Sequence, residues 1–505
     1  MKERNNSLKG EWWFWIGVHL LAWSLVPTMI NPSLHLDTIE ALAWGQEWAW
    51  GYDKHPPLSA WAAEIFGYLP GDWGLYLLSQ LCIVGAGLGV WKLGRDFGLS
   101  KESCLLGVIL LDALYFYQYA SPEFNVNYLQ LPFWAWGWWA GFRGVKTGRI
   151  FYWVGLGLMV GLGALTKYLA VFLVIPFLAS LWEQKRLLEQ LRRPGLYLAG
   201  FTSMLVFLPH LLWMRENDWM TLTYGLARAE GNEMSFLLKR ILFPLEFLGV
   251  QFLVLLPLLL FGYWNRNRDR NEKKEAPDES LEKSVASPIG LRGLCLGGFL
   301  LVGVLSAIFG WQPVMMWAAP MPLTFGLWVA TWVDPRKRVR AARWALAFGL
   351  VGLAAYLGVY GLSPRLRDRP HRVGYPGKEL AAQVEALWRE ENQEPLSFVV
   401  AHEWEGGLVA WYGKDRASVV IEGDWVRTPY LDQKELEKKG AMVVWLKSVD
   451  SESDTERLLA EKLPEIVANF PEMERREDLL IPWPGRIDGK KGRYGVAVIQ
   501  GKGKE

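Results

Sequence analysis

The sequence is poor in the residues that build metal centres and disulfide frameworks. Only three of its 505 residues are cysteines, and Cys82, Cys104 and Cys295 all fall inside apolar runs. Thiols in such runs behave as small hydrophobes, and their spacing fits neither a disulfide framework nor a zinc site. The six histidines are scattered, with no acidic partner at ligand spacing. Metal-independent chemistry without a cofactor is therefore expected. The net charge of +2 gives no general attraction to nucleic acid. Phosphate-loop and dinucleotide fingerprints are absent, so nothing points to a nucleotide substrate. The first apolar run, about Trp12 to Ile30, lacks a small-x-small cleavage site. It reads as a retained transmembrane helix, not a signal peptide.

What the chain does have is long apolar runs. Its hydrophobic content of 51%, with 30 tryptophans, is only a little above a soluble average. The distribution is the informative part, because the runs recur up to about Tyr360 and the remainder is polar. A bilayer core needs about 20 apolar residues per helix. That rule predicts about eleven spans: 12–30, 73–93, 103–120, 128–142, 151–165, 168–182, 195–214, 241–262, 293–310, 315–333 and 341–360. The stretch 151–182, broken at "ALTKYLA", also reads as one re-entrant pair. Lys and Arg concentrate in alternate short loops, including Lys92/Arg95/Lys101, Arg143/Lys146/Arg149 and Arg336/Lys337/Arg338/Arg340. The positive-inside rule then places the N-terminus in the cytoplasm and the C-terminal part outside.

The charge-mixed stretch 265–284, within the loop 263–290, reads as a disordered cytoplasmic segment. Residues 361–505 read as a small soluble α/β domain. "GKELAAQVEALWREE" has the period of an amphipathic helix, and "LSFVVA", "SVVIEG", "AMVVWLKS" and "YGVAVIQ" read as short strands.

The first outer loop, 31–72, carries the densest chemistry: "HLDTIEALAWGQEWAWGYDKHPPL", His35 to Leu58. Asp37, Glu40 and Trp44 are spaced to share a helix face. The expectation is a short interfacial helix with Trp48 and Trp50 at the headgroups. Pro56-Pro57 ends it in a rigid turn presenting Lys54 and His55 at the bilayer boundary. Spacing alone is equally compatible with Asp37 and Glu40 capping the helix and Lys54 snorkelling.

This stretch resembles the first outer loop of the polyprenyl-phosphate-sugar-dependent GT-C glycosyltransferases. That family contains the protein O-mannosyltransferases and the lipid A aminoarabinose transferases. The family pattern is an Asp, then about fourteen residues later Gly-Tyr, a basic residue and Pro-Pro-Leu; here these are Asp37, Gly51-Tyr52, Lys54-His55 and Pro56-Pro57-Leu58. Thr38 stands where Glu usually follows the Asp, leaving the role of the nearby Glu40 open. "SPEFNVNYLQLPFW" (121–134) is similar to the family's second acidic site, with Glu123 in place of Asp. "GLGALTKYLAVFL" (161–173) resembles its Lys-Tyr segment, giving Lys167 and Tyr168. "MWAAPMPL" (316–323) resembles a later segment in which Met316 replaces His or Tyr.

The resemblance implies a mainly α, polytopic GT-C-type helical bundle with a small extracytoplasmic α/β domain, in the bacterial inner membrane. It implies an enzyme moving a sugar from a polyprenyl-phosphate donor to a lipid, glycan or protein acceptor among membrane lipids. Asp37 and Glu123 are the catalytic candidates. Asp37 is the general base for a hydroxyl acceptor, or the group that orients a phosphate acceptor. Glu40, Tyr52, Lys54, His55, Asn125, Lys167 and Tyr168 are the candidates for substrate binding, with cations needed against the leaving phosphate. Lys167 also reads as a helix-end anchor, and Glu123 as a helix cap. Asn127 has a weaker case as a sugar ligand. Asp112 and Glu246 read equally as functional groups or as partners of neighbouring helices, while Arg228, Lys239 and Arg240 read as solvated loop charges. The competing class is a polytopic lipid or sugar transporter. Against it, the acids cluster in outer loops and no inverted repeat of span lengths is visible.

Overall fold

The computed structural model describes residues 8–230, 234–266, 289–362, 371–448, 463–485 and 491–502. Most of the expected cytoplasmic loop 263–290 (residues 267–288) lies outside the described residues. The chain forms two compact units. One comprises Met1–Ser24, Leu77–Pro122 and Val126–Ala355; the other comprises Leu25–Tyr76, Glu123–Asn125 and Tyr356–Glu505.

Among the described residues, six helices are long and apolar enough to cross a membrane: Lys9–Ile30, Trp73–Asp96, Pro194–Glu216, Phe236–Trp264, Leu291–Phe309 and Pro335–Leu362. Ile150–Thr166, Tyr168–Glu183 and Met315–Ala330 are shorter apolar helices. The Trp-rich helix Val126–Thr147 has 22 residues. The eleven runs predicted from hydropathy are thus not eleven uniform helices. The run 103–120 is α-helical only to Ile109 and then becomes the 3-10 turns Leu110–Ala113 and Tyr115–Tyr117.

In the first unit, Ile150–Thr166 packs between Val126–Thr147 and Pro194–Glu216. Gly157 and Gly161 permit the close approach: a Cβ on them would lie 2.7 Å from Thr202 Cβ and Val206 Cβ, respectively. Small residues four apart are the usual device for tight helix packing in lipid, where no hydrophobic force drives helices together.

The second unit is built on a six-stranded sheet. Its strands are β1 (Phe398–Ala401), β2 (Ser418–Ile421), β3 (Ala441–Ser448), β4 (Glu474–Arg475), β5 (Leu479–Pro482) and β6 (Lys491–Ile499). The order is β2-β1-β3-β6-β4, with β5 also paired to β6. β1 runs parallel to β2 and β3, while β6 is antiparallel to β3, β4 and β5. Successive residues of β1 face opposite ways, as the pleat requires. Phe398 and Val400 enter a core with Leu436, Ile466 and Phe470, and Val399 and Ala401 enter another. Both faces are covered, so the central strands are continuously apolar.

The second of these cores draws on a distant part of the chain. Beside Leu380, Val384 and Trp388 of the helix Gly377–Glu391, it contains Ala43, Trp44, Tyr52 and Ala60 from the first outer loop. The helix Leu36–Gly45 is therefore not a one-sided interfacial element. Leu36 and Thr38 to Gly45 are all buried. The alternating pattern of acids and tryptophans matched an interfacial helix because the cover it receives comes from residues more than 300 positions later.

Candidate active site

Asp37 sits in the first turn of the helix Leu36–Gly45, but it does not cap it. The N-cap is His35, and no side chain makes a capping hydrogen bond there. The Asp37 carboxylate instead accepts a hydrogen bond from Asn125 Nδ2 at 3.3 Å. One residue on, Thr38 Oγ1 donates to the Phe124 carbonyl at 2.9 Å. These two bonds fasten the short segment Glu123–Asn125 against the helix and bring the two acids predicted from the sequence together.

The carboxylates are electrostatically uneasy neighbours. Burial, and then the charge of Glu123, push Asp37 up to about 6, against the pull of Arg372, His35 and Lys54. Burial also raises Glu123, with Arg372 and the Asp37 backbone amide opposing. His35 Nδ1 lies 3.8 Å from Glu123 Oε2. Burial holds this imidazole down at about 3, so it is neutral and the contact is not an ion pair. On its other side His35 Nε2 meets the Tyr356 hydroxyl at 3.2 Å, and Tyr356 accepts from Asn31 Nδ2 at 2.8 Å. A polar chain thus orients His35 beside the acid pair. Paired carboxylates whose pKa values are raised by burial are the kind of perturbed groups that mark candidate acid–base sites.

Lys54 is placed differently. Its Nζ donates to Glu40 Oε1 at 2.7 Å and also to Glu403 Oε1. Arg427 joins the same network, donating to Glu403 at 2.8 Å, Asp53 at 2.9 Å and Glu422 at 2.6 Å. Burial would lower Lys54, but Glu40 and Glu403 outweigh it and raise it. Burial raises Glu40 despite Lys54. Glu40 and Lys54 therefore tie the loop to the helix Glu403–Tyr412, where the sequence pattern led us to expect substrate contacts.

Tyr52 is a second correction. It is fully buried, stacked on Trp44 with centroids 5.4 Å apart, and edge-on to Tyr430 at 5.3 Å. A side chain so enclosed cannot meet a substrate; the Gly-Tyr of the motif is a packing element here. Tyr52→Ala is expected to destabilise the unit by about 3–5 kcal/mol, as large aromatic deletions do. Tyr52→Phe, which keeps the stacked ring, is expected to cost no more than about 1 kcal/mol. Denaturant titration of the purified protein distinguishes the two. His55 lies edge-on to Trp44 at 6.1 Å, and its carbonyl accepts from the Tyr52 amide at 3.1 Å.

The remaining candidates lie in the first unit. Lys167 follows the last turn of Ile150–Thr166 in an extended conformation. Its Nζ donates to Asn127 Oδ1 at 2.6 Å and lies 5.7 Å from the Trp317 ring. A lysine among apolar spans needs such a partner, and Asn127 supplies it. The Tyr168 hydroxyl contacts His210 Nε2 at 2.8 Å and Thr221 Oγ1. Asp112 accepts from Trp15 Nε1 at 2.8 Å and contacts His19 Nε2 at 3.0 Å, so it pairs with a neighbouring helix. Lys239 and Arg240 donate to the carbonyls of Glu230 and Ala307.

Two residues of the acid cluster, His35 and Arg372, went unnoticed in the sequence. Arg372 lies 6.0 Å over the Trp404 ring. The available signal was the run of arginines in "SPRLRDRPHRVGYPG", at the point where apolar sequence gives way to the polar region.

The chain is also similar to known proteins. Residues 54–213 match the dolichyl-phosphate-mannose-protein mannosyltransferase family. Over 246 residues the chain is 26% identical to the lipid A galacturonosyltransferase RgtD of Rhizobium johnstonii (strain DSM 114642 / LMG 32736 / 3841). That match covers 48% of this chain, and the chain spans only about half the length of that relative, 50%. The fold resembles the crystal structure of ArnT from Cupriavidus metallidurans bound to undecaprenyl phosphate, with a TM-score of 0.61 and 14% identity over 97% of this chain and 98% of that one. The apo structure of the same protein gives the same TM-score and coverage at 13% identity.

Proposed function

We propose that the chain is a membrane glycosyltransferase of the GT-C type, which transfers a sugar from a polyprenyl-phosphate donor to an acceptor at the outer face of the bacterial inner membrane. The observation that carries this reading is the pairing of Asp37 and Glu123, brought together by the Asn125 and Thr38 hydrogen bonds, with His35 3.8 Å from Glu123. The likeness to a structure solved with undecaprenyl phosphate supports the donor carrier. The likeness to a lipid A galacturonosyltransferase supports a lipid acceptor. The loop charges support a cytoplasmic N-terminus and an extracytoplasmic C-terminal region.

The chemistry follows from the geometry. The leaving group is a phosphate monoester, and its growing charge needs a cation. Lys54 is held by two carboxylates, so Arg372, whose charge acts on both acids, is the candidate for this role. With a hydroxyl acceptor, Asp37 takes the proton as the oxygen attacks the anomeric carbon opposite the phosphate, and the configuration inverts. Asn125 holds the Asp37 carboxylate in place. With a phosphate acceptor no proton need leave, and Asp37 orients the incoming oxygen. Glu123 keeps the second position for acceptor or sugar.

The test is a transfer assay in membranes, with radiolabelled sugar on undecaprenyl phosphate. A labelled lipid-extractable product is expected. Label that crosses the membrane without forming a new covalent product would instead establish a transporter. The base role makes a further prediction. A base must be ionised, so kcat/KM should fall as the pH drops through about 6, approaching tenfold per pH unit below it. A flat profile between about pH 5 and pH 7 with a hydroxyl acceptor would remove Asp37 as the base.

A further inference from the structure

The transfer chemistry uses the N-terminal end of the helix Leu36–Gly45 and leaves the other end unexplained. There, within the same unit, Gln46, Glu47, Glu64, Tyr68, Arg416 and Ser418 line a cavity of about 420 Å³. That volume is in the range of small-molecule sites. None of the six belongs to the acid cluster. At about 1.5 Å per residue, Gln46 lies about 14 Å along the helix axis from Asp37.

The lining is held rigidly. Gly45 lets this helix touch the helix Leu58–Gly67; a Cβ there would lie 2.8 Å from Glu64 Cβ. Glu64 accepts from Arg416 Nη2 at 2.7 Å. Arg416 also donates to Gln46 Oε1 at 3.4 Å and lies 4.9 Å over the Trp411 ring. Gln46 in turn donates to the Ala417 carbonyl at 3.1 Å. Arg416 adopts a φ of 52°, a left-handed conformation uncommon outside glycine and retained where surrounding contacts over-determine it. Within this frame Ser418 and Gln46 hold the Glu47 carboxyl in part. Glu47 Oε1 is buried without a hydrogen-bond partner. The Tyr68 ring is 74% exposed.

Charge selects the ligand class. Arg416 is neutralised by Glu64, so no spare cation is present for a phosphate or carboxylate. Burial raises Glu47. An amide, a hydroxyl and carboxyl groups can exchange hydrogen bonds with adjacent hydroxyls. The Tyr68 ring offers a flat apolar face. A neutral sugar ring presents that combination of hydroxyl edge and apolar face.

We propose that this cavity is a subsite for a neutral hexose unit, and, resting on the glycosyltransferase reading, that the hexose belongs to the acceptor at a point distal to the transfer. The site would then select acceptors that already carry a sugar one helix length from the group being modified.

Saturation-transfer NMR tests the binding directly and needs no turnover, so its outcome is separate from that of the transfer assay. The full-length protein is placed in lipid nanodiscs, because maltoside detergents would compete. Methyl glucoside, methyl galactoside and methyl mannoside are the probes. At least one should receive saturation in the wild type, with the signal reduced at least fivefold in Tyr68→Ala and in Glu47→Ala. Glu47→Gln, which keeps the side-chain shape and a hydrogen-bonding group, should retain most of it. No saturation of any probe in the wild type, or equal signals in wild type and both alanine variants, would overturn the proposal.

Discussion

Replacing Asp37 with asparagine is expected to lower transfer by about 10²–10⁴-fold, the usual contribution of a positioned general base. That is about 3–5 kcal/mol on the barrier. The fold should survive. Asparagine still accepts the hydrogen bond from Asn125 that now reaches Asp37 at 3.3 Å. The helix loses one negative charge in its first turn, worth about 0.3–1 kcal/mol. The two roles therefore separate by magnitude. A structural Asp37 would shift thermal unfolding slightly and leave kcat alone, whereas a catalytic one would do the reverse. Measuring kcat and the unfolding midpoint on the same preparation decides it. Transfer by the variant within threefold of wild type would return Asp37 to a structural role.

Arg427→Ala should show the opposite signature, a large loss of stability. Arg427 donates to Asp53, Glu403 and Glu422, and its side chain is only 22% exposed. Removing it leaves Asp53 without this cation, Glu422 with His402 at 3.7 Å, and Glu403 with a Lys54 already shared with Glu40. Breaking one partner of a buried ion pair typically costs about 3–5 kcal/mol, because the remaining charge keeps its desolvation penalty. The double variant Arg427→Ala/Glu403→Ala should recover part of that loss, since one orphaned charge is gone. Equal unfolding midpoints for wild type and Arg427→Ala would mean that solvent already screens the network. Any fall in transfer should track the fall in folded protein, because Arg427 lies outside the acid cluster.

The contrast between these variants explains what the motif could and could not convey. Asp37 and Glu123 were legible because each lies in a short local pattern, Asp with Gly-Tyr and Pro-Pro-Leu, and Ser-Pro-Glu-Phe before a long helix. Lys54 sits in the same motif, and pattern alone assigned it to phosphate. Its partner Glu403 lies 349 residues away, in a segment with no recognisable signature. Tyr52 looked like a substrate contact for a related reason. An aromatic in a polar loop reads as exposed until the residues that cover it, here Tyr430 and the sheet core, are known.

The amino-acid sequence by itself determined the long apolar runs, the helix Gly377–Glu391 and the strands β1, β2, β3 and β6, and it carried the family resemblance. Each rests on local periodicity or run length, and a bilayer leaves backbone groups no alternative to helix over such runs. The small elements β4 and β5 escaped, being only two and four residues long and stabilised by pairing to β6. Only the tertiary structure decided that the first outer loop is buried in the core of the second unit, that Glu123 and Arg372 join Asp37, and that Lys54 belongs to a buried ion network. Those outcomes depend on desolvation and on pairs of charges hundreds of residues apart. Neither leaves a trace in the spacing of residues along the chain.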